Sequence, residues 1–342
     1  MRMTKHFSLV SFLVAAALLL TGNKTLAQGY YFYNNGYYES QTVIEGGISV
    51  GMINGMTDIG GSKKGRANSG PVGDFTFKES NLSAGLYVNA TYKDFIAARL
   101  DFSFGRVEAA DSNLKGTTNK FAEGRYVRNL SFRTNIFEIG AGVELHPLMM
   151  RDYIDKEPPR LSPYVFGGIS WIKFNPKAYL NGVWYELEPL RLEGQGFSEY
   201  PDRKRYKRNS FAVPYGVGVR YEATQFLNVR LEVAKHSLFT DYLDDVSQEN
   251  WIDPALFYKY LSPGQAAVAS QLYNRSTVIN PPRNTRPRGK SNENDAYWNV
   301  VIKLGININR VRNSMGFGGA RSGGGNTSGG RRAKIKCPST IL

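Results

Sequence analysis

The chemistry that is easiest to recognise in this sequence is a single thiol close to the C-terminal end. Cys337 is the only cysteine among 342 residues, and Lys334 and Lys336 precede it in the run K-I-K-C-P. Neighbouring positive charge favours the reactive thiolate form of a cysteine. In an exported protein, a lone cysteine of this kind indicates an intermolecular disulfide or a free reactive thiol. An incidental thiol in a disordered tail is the alternative.

The segment that carries this thiol is strongly basic. Residues 309–342 hold seven Lys and Arg residues and no Asp or Glu, and glycine, serine and asparagine separate them. This composition predicts a flexible coil with a reach of roughly 30 Å. We expect its cations to attract a partner and its thiol to form a covalent link. The predicted partner-binding residues are Arg331, Arg332, Lys334, Lys336 and Cys337.

Three acidic residues in the run F-T-D-Y-L-D-D-V-S form a second candidate site. Asp241, Asp244 and Asp245 could bind Ca²⁺, because that ion requires hard oxygen ligands. The alternative is a solvated start of a loop or a turn within it. The sequence contains no paired cysteines, no glycine-rich phosphate loop and no nucleophile elbow. We therefore expect no resident metal or cofactor.

The elements that position these residues have a period of two. In the stretch 211–234, apolar residues occupy every second position on both sides of a break at 223–225. Successive side chains of a strand point to opposite faces, so the stretch predicts a hairpin with one apolar face and one charged face. A soluble sandwich and a membrane barrel share this alternation, with the apolar face turned inward or towards lipid.

Eight such segments follow one another along the chain. Most are long enough to cross a bilayer, which takes about 9–11 tilted residues. Short connections alternate with long ones, which is typical of outer-membrane barrels whose short turns are periplasmic. The fold class so predicted is an eight-stranded antiparallel transmembrane β-barrel with long extracellular loops and both termini in the periplasm. The predicted strands are 42–53, 81–91, 95–107, 129–146, 161–173, 211–222, 226–234 and 297–308.

The polar face of these strands predicts a filled lumen. An eight-stranded barrel encloses a space that is only wide enough for side chains. Charges of both signs can pair there, and such pairing closes the bore. The predicted lumen charges are Arg99, Asp101, Glu138, Glu144, Arg220, Glu222, Arg230, Glu232 and Lys303. Aromatic girdles are predicted at both ends, with Phe104, Phe132, Trp171 and Trp298 on the loop side.

Histidine placement gives little basis for catalysis. His146 ends a strand that runs towards the short turns, and His236 ends one that runs towards the long loops. The two side chains are therefore predicted at opposite membrane faces. The pair His236 and Ser237 is a weak signal for a barrel hydrolase, so we expect that the protein is not an enzyme.

The first residues predict export. Arg2 and Lys5 precede an apolar segment at 7–20, and the small residue of a cleavage site stands at Ala27. The net charge of +14 is concentrated in this segment and the tail, so it does not indicate nucleic-acid binding. The predicted organisation is a signal peptide at 1–27, a Tyr-rich periplasmic leader at 28–41, the barrel at 42–308 and the periplasmic tail at 309–342.

Several blocks of the sequence resemble a known family. The runs R-N-L-S-F-R-T-N-I-F-E (128–138), S-P-Y-V-F-G-G-I (162–169), L-E-G-Q-G (192–196) and F-T-D-Y-L-D-D-V-S (239–247) are similar to the PorG-type barrels of the Bacteroidetes type IX secretion system. So is the block F-N-P-K-A-Y-L-N-G-V-W-Y-E-L-E-P-L at 174–190. The resemblance implies a non-enzymatic barrel of the cell outer membrane that contacts a periplasmic ring of the PorK lipoprotein and PorN. An OmpA-like structural or adhesin barrel, acting through its extracellular loops, is the alternative.

Overall fold

The computed structural model describes residues 42–61, 79–150, 159–224, 226–276, 287–290 and 293–308. The predicted signal peptide, the Tyr-rich leader and the basic tail lie outside these ranges. Nine strands and three α-helices form in the described part of the chain. The strands are β1 Thr42–Met56, β2 Asn81–Tyr92, β3 Ile96–Ala110, β4 Ser131–Leu145, β5 Leu161–Leu180, β6 Val183–Glu186, β7 Asn209–Glu222, β8 Leu227–Leu238 and β9 Ala296–Asn307.

Eight of these strands close into an antiparallel barrel. The order is β4-β3-β2-β1-β9-β8-β7-β5, and β4 also pairs with β5, which completes the ring. Every pairing in it is antiparallel. β6 pairs with β5 and extends the sheet beyond the ring. The predicted eight-stranded antiparallel barrel is therefore confirmed.

The alternation in the sequence explains which side chains face inward. In β2, Leu82, Leu86 and Val88 are exposed, whereas Tyr87 and Asn89, on either side of Val88, are buried. The same inversion holds around the ring, with large apolar residues outside and charged residues inside. This is the polarity of a barrel that spans a membrane with lipid around it. The protein is an integral barrel of the outer-membrane type.

Helices do not provide an alternative way across the bilayer. None of those that the structure describes is long and apolar enough to span a membrane.

Several strand boundaries and one side-chain assignment differ from the sequence-based predictions. β5 continues to Leu180 instead of residue 173 and turns back into β6, which the alternation did not indicate because polar residues enter the outward face there. β4 begins at Ser131, since Asn129 adopts a left-handed φ of 57° after a helix. Phe132 is 2% exposed and faces the interior, so its assignment to the outward aromatic girdle was wrong.

One end of the barrel has tight turns and the other has folded loops. Lys93 and Asp94 both have positive φ, 47° and 60°, and join β2 to β3 in the tight-turn geometry that suits a right-twisted hairpin. Thr42 and Asn307, the ends of the barrel, lie at this same end, opposite Tyr92 and near Leu227. We call it the turn end and the opposite one the loop end.

The loops fold into a layer over the loop end, which we call the cap. It contains β6, α1 Lys120–Arg128, α2 Ala255–Tyr260, α3 Pro263–Tyr273 and the 3-10 helices Asp111–Leu114 and Glu188–Leu190. Its apolar core includes Leu187, Phe197, Leu243, Ile252, Phe257 and Leu272. The same cluster continues into the barrel through Ile53, Val107, Ile136, Ile172 and Leu238. The loop end of the lumen is therefore apolar and is sealed by the cap.

Close packing inside the barrel predicts that Gly305 is important for stability. A Cβ at Gly305 would overlap the Tyr87 hydroxyl and the Glu45 carboxylate. We predict that Gly305→Ala lowers the free energy of unfolding by about 1–3 kcal/mol, because the inserted methyl group must displace packed groups. Urea titration of the refolded protein in detergent measures this quantity.

The matched control is Gly264→Ala in α3. A Cβ at Gly264 meets nothing within 4 Å, so this variant should unfold at the same urea concentration as wild type or at a higher one. Equal loss of stability in both variants would contradict the packing argument.

Candidate functional site

The lumen near the turn end is organised around Arg230. Its guanidinium is fully buried and donates two hydrogen bonds of 2.8 Å to Glu45 and one of 2.9 Å to Glu144. Glu45 also accepts hydrogen bonds from the Tyr87 hydroxyl at 2.5 Å and from Asn228 at 2.7 Å. One arginine thus joins two carboxylates that come from opposite sides of the barrel.

A second tier of charges lies directly above. Arg99 donates to both oxygens of Asp101, at 2.6 and 3.0 Å, and to Glu232 at 3.1 Å. Lys303 lies 2.7 Å from Asp101 and 3.0 Å from Glu232. The Tyr164 hydroxyl donates to Glu232 at 2.6 Å. The nearest oxygen of Glu144 lies 3.1 Å from Arg99, so the two tiers form one continuous network.

A third tier contains Glu138 and His236. The His236 Nδ1 lies 2.9 Å from the Glu138 carboxylate, and the Tyr297 hydroxyl donates to the same group at 2.6 Å. The His236 ring stacks on the Tyr297 ring with centroids 4.4 Å apart. Ser237 follows on the opposite face of β8, so His236 and Ser237 do not converge as a catalytic pair.

His146 lies at the other end of the lumen. Its ring nitrogens lie 3.1 Å from the Ser162 hydroxyl and 3.4 Å from Glu144. Arg220 is buried on the inward face of β7, and Glu222 is half-buried two residues further on, at the turn end. The structure thus places all nine predicted lumen charges on the inward face. It assigns the two histidines to separate tiers.

These tiers fill the bore. The interior space beside Arg99, Glu138 and His236 amounts to about 60 Å³, enough for a few water molecules. Above it lies the apolar plug formed by the upper barrel and the cap. Charge pairing and apolar packing therefore close the lumen in series, and the barrel contains no passage for a polypeptide.

The cap contains a second buried polar network, built on Arg128. Its guanidinium donates to Asp111 at 2.9 and 3.0 Å, to the Asp58 carbonyl at 2.8 Å and to the Arg288 carbonyl. Asp111 also accepts from the backbone N–H groups of Gly60 and Leu130. Arg128 therefore holds three separate loops together.

Acidic residues from distant parts of the chain meet under the cap. Asp244 accepts hydrogen bonds from the backbone N–H groups of Ile59 at 3.0 Å and Val246 at 2.9 Å. Glu193 accepts from the N–H groups of Ser247 and Gln248, both at 3.1 Å. We call this group the buried acid cluster. It consists of Asp58, Glu193, Asp241, Asp244, Asp245 and Asp295, all at most 9% exposed.

Burial raises the pKa of most of these carboxyl groups. Desolvation, together with the charges of Asp244 and Asp58, raises the pKa of Asp241 to about 8. Desolvation and the charge of Asp58 raise the pKa of Asp244 to about 7. The pKa values of Glu193, Asp245 and Asp295 are raised mainly by the same burial.

The predicted calcium site has a different character from both sequence-based expectations. Asp241, Asp244 and Asp245 are buried, so the expectation of a solvated acidic loop was wrong. Asp245 accepts a hydrogen bond of 2.7 Å from the Tyr206 hydroxyl, while Asp244 is bound to backbone N–H groups. Within the ranges that the structure covers, no three His, Cys, Asp or Glu residues are arranged to hold a metal ion.

Sequence reasoning missed half of the buried acid cluster and the lumen carboxylate Glu45. Glu45 does lie on the polar face of the first predicted strand, and that alternation could have identified it. Asp58, Glu193 and Asp295 lie in loops, where no periodicity indicates which residues meet. The predicted partner-binding residues Arg331, Arg332, Lys334, Lys336 and Cys337 fall outside the described residues.

The geometry of the first tier predicts the effect of removing its arginine. Arg230→Met leaves the buried Glu45 carboxylate without its counter-charge and Glu144 with Arg99 alone, so we expect the free energy of unfolding to fall by about 3–5 kcal/mol. The double variant Arg230→Met/Glu45→Gln should regain part of this loss because it removes the unpaired charge. Urea titration in detergent measures both.

Lys115→Met is the control for that experiment. Lys115 is an exposed residue of the cap, and its removal should change the free energy of unfolding by less than about 0.5 kcal/mol. An Arg230 variant as stable as this control would show that the network does not stabilise the barrel.

The buried acid cluster predicts that the cap loses stability as the pH rises. A carboxyl group whose pKa is higher in the folded state binds more protons when the protein is folded. Its stabilising contribution is therefore complete below the unfolded pKa of about 4. The contribution disappears as the pH rises through the folded-state pKa values of about 7 to 8. Asp241→Asn should reduce this dependence, since it removes a carboxyl group whose pKa is raised to about 8.

Hydrogen exchange of residues 239–247, corrected for intrinsic rates, measures cap opening at pH 5.5 and 8.5. We expect wild type to open at least tenfold more often at pH 8.5, and Asp241→Asn to show a smaller ratio. The control Asp253→Asn changes an exposed aspartate of the same loop and should retain the wild-type ratio. A pH-independent wild type would contradict the prediction.

Residues 38–262 match the model of the family described as "Domain of unknown function (DUF6089)". No protein of curated function matches the sequence. The chain is similar to the solved structure of Neisserial surface protein A, at 8% identity, 79% coverage of this chain, 98% coverage of that chain and a TM-score of 0.33.

Two further solved barrels are similar at the same level. Ail of Yersinia pestis shares 9% identity over 78% of this chain and 97% of its own, with a TM-score of 0.32. The N-terminal β-barrel domain of Pseudomonas aeruginosa OprF shares 8% identity over 78% of this chain and 98% of its own, with a TM-score of 0.28. Because the family model covers well over half of the sequence, the protein belongs to the DUF6089 family.

Proposed function

We propose that this protein is a non-enzymatic outer-membrane anchor of the type IX protein secretion machinery, and that it positions a periplasmic ring of PorK and PorN type. The observation that carries the proposal is the closed lumen. A barrel filled by ion pairs between Arg230, Glu45 and Glu144 serves as a fixed membrane element and not as a route for cargo.

The blocks that resemble the PorG-type barrels support this assignment. Arg128 begins one block and is the hub of the cap, while Tyr164 belongs to another and binds the lumen carboxylate Glu232. Glu193 and Asp244 lie in two further blocks and both belong to the buried acid cluster. The similar blocks thus contain residues with defined structural roles. We include gliding motility in the proposal, because such secretion machinery also supports it.

The orientation of the barrel follows from the proposal. With the cap outside the cell, the turn end faces the periplasm, and both Thr42 and Asn307 lie there. The tail at 309–342 then enters the periplasm. Its cations attract the ring, and Cys337 forms the intermolecular disulfide.

A pull-down from detergent-solubilised outer membranes tests the proposal. We expect wild type to retain the PorK and PorN type ring proteins, and a non-reducing gel to show an adduct that disappears with reductant and in Cys337→Ser. Replacing Arg331, Arg332, Lys334 and Lys336 by Gln should reduce ring recovery at least tenfold under reducing conditions, because the electrostatic attraction is lost.

The matched control replaces Arg310, Arg312 and Arg321 by Gln at the beginning of the same tail. These cations are further from Cys337 along the sequence, so ring recovery should stay close to wild type. Absence of ring proteins from the wild-type sample would overturn the anchoring role, and absence of the adduct alone would remove the disulfide from it.

The cap favours a second candidate, an OmpA-like surface protein that binds through its loops. Tyr258 is 62% exposed on the cap, an unusual position for a large aromatic side chain on a water-facing surface. Deletion of 309–342 discriminates between the two. Lost secretion with retained surface binding supports the anchor, whereas normal secretion together with loss of binding in Tyr258→Ala supports the adhesin.

A further inference from the structure

We propose that the outward wall of β3, β4, β5 and β6, just above the apolar band, binds the phosphate groups of a phosphorylated glycolipid of lipid A type in the outer leaflet. The residues that carry this inference form what we call the basic belt. They are Arg106, Arg133, Lys173, Lys177 and Arg208.

The register of the strands places the basic belt in successive rows directly above the apolar band. Below it, Trp171 pairs with Ile139 and Phe211 in the last wholly apolar row. Lys173 pairs with Phe137 and Asn209 in the first row above. Lys177 pairs with Arg133 and Glu186 two rows higher.

The lower part of the belt overlaps the headgroup region. Residues on one face of a strand are spaced about 6–7 Å apart, and strand tilt reduces that rise to roughly 5 Å along the membrane normal. The belt therefore covers about 5–15 Å above the aromatic row, while the headgroup layer extends about 5–8 Å beyond the hydrocarbon core. The belt begins at the lipid headgroups.

The charge of this wall is not neutralised by the protein itself. Two acids face the five cations: Glu108 pairs with Arg133 and lies 3.8 Å from Arg106, and Glu186 lies 2.8 Å from Arg208 and 3.4 Å from Lys177. Lys173 is exposed and makes no ion pair with the described residues. An excess of three positive charges beside the headgroups matches a lipid with more than one phosphate.

Aromatic side chains complete the surface at its upper edge. Tyr179 and Trp184 are 46% and 39% exposed, with ring centroids 5.2 Å apart, and the Arg133 guanidinium lies 3.9 Å from the Trp184 ring. Flat aromatic faces beside cations fit a sugar that carries phosphate, which favours a glycolipid over a simple phospholipid.

Thermal unfolding of the full mature chain in phosphatidylethanolamine vesicles tests the inference. We expect lipid A with both phosphates to raise the unfolding midpoint by about 4–8 °C relative to vesicles without it, because a ligand that binds the folded state stabilises it. Lipid A without phosphates, and inorganic phosphate at matched concentration, should each give less than half of that shift.

The diagnostic variant is Arg106→Gln/Lys173→Gln, which removes two cations and leaves the Glu108–Arg133 and Glu186–Lys177 pairs in place. It should lose at least half of the lipid A shift. The matched control Lys259→Gln/Lys290→Gln removes the same charge from exposed cap positions and should keep the full shift. A variant that is less stable in every vesicle, with the lipid A shift unchanged, assigns the belt to sheet stability and overturns the inference.

Two other outcomes also overturn the inference. One is the absence of a wild-type shift, and the other is an equal shift with inorganic phosphate or with dephosphorylated lipid A. Lipid A is present in both leaflets of the vesicles and no ring protein is added. The result is therefore independent of the orientation and of the ring docking proposed above.

Discussion

Closure of eight strands into one ring is the constraint on which the rest of the structure depends. It leaves a bore that side chains must fill, and lipid on the outside forces the polar residues inward. Charges in that space are tolerated only if they are paired and hydrogen-bonded. The Arg230, Arg99 and Lys303 contacts are the direct result, and Gly305 exists to leave room for Tyr87 and Glu45. Above the charged tiers, the apolar cap finishes the seal.

The cap combines a stabilising apolar core with a destabilising polar one. Leu187, Phe197 and Phe257 bury apolar surface as the core of a soluble domain does. The buried acid cluster opposes this, because its carboxyl groups exceed the nearby cations Arg128 and Arg288. Burial and the charges of neighbouring carboxylates raise the pKa values of Asp241 and Asp244. The cap is therefore the part of the described structure whose stability depends most on pH.

The barrel could be predicted from the sequence because its information is local. A period of two in residues 211–234 specifies strands, faces and the inward position of Arg220 and Arg230 without knowledge of any partner. The cap could not, because its contacts join residues such as Ile59 and Asp244, which are 185 positions apart. The prediction for Phe132 was wrong for a related reason. Its aromatic type suggested an outward girdle, whereas its even spacing from Glu138, its parity, already placed it on the inward face. Parity is the better guide where the two disagree.

The pairing of the first and last strands has a consequence for how the protein is made. Glu45 and Arg230 lie 185 positions apart, and β1 meets β8 only through β9, which is the final strand of the ring. Their charges therefore stay unpaired until translation and export of nearly the whole chain are complete. A partly inserted sheet would expose them to hydrocarbon, so closure and membrane entry must occur together. Biogenesis of this barrel is accordingly an all-or-none event timed by its last strand.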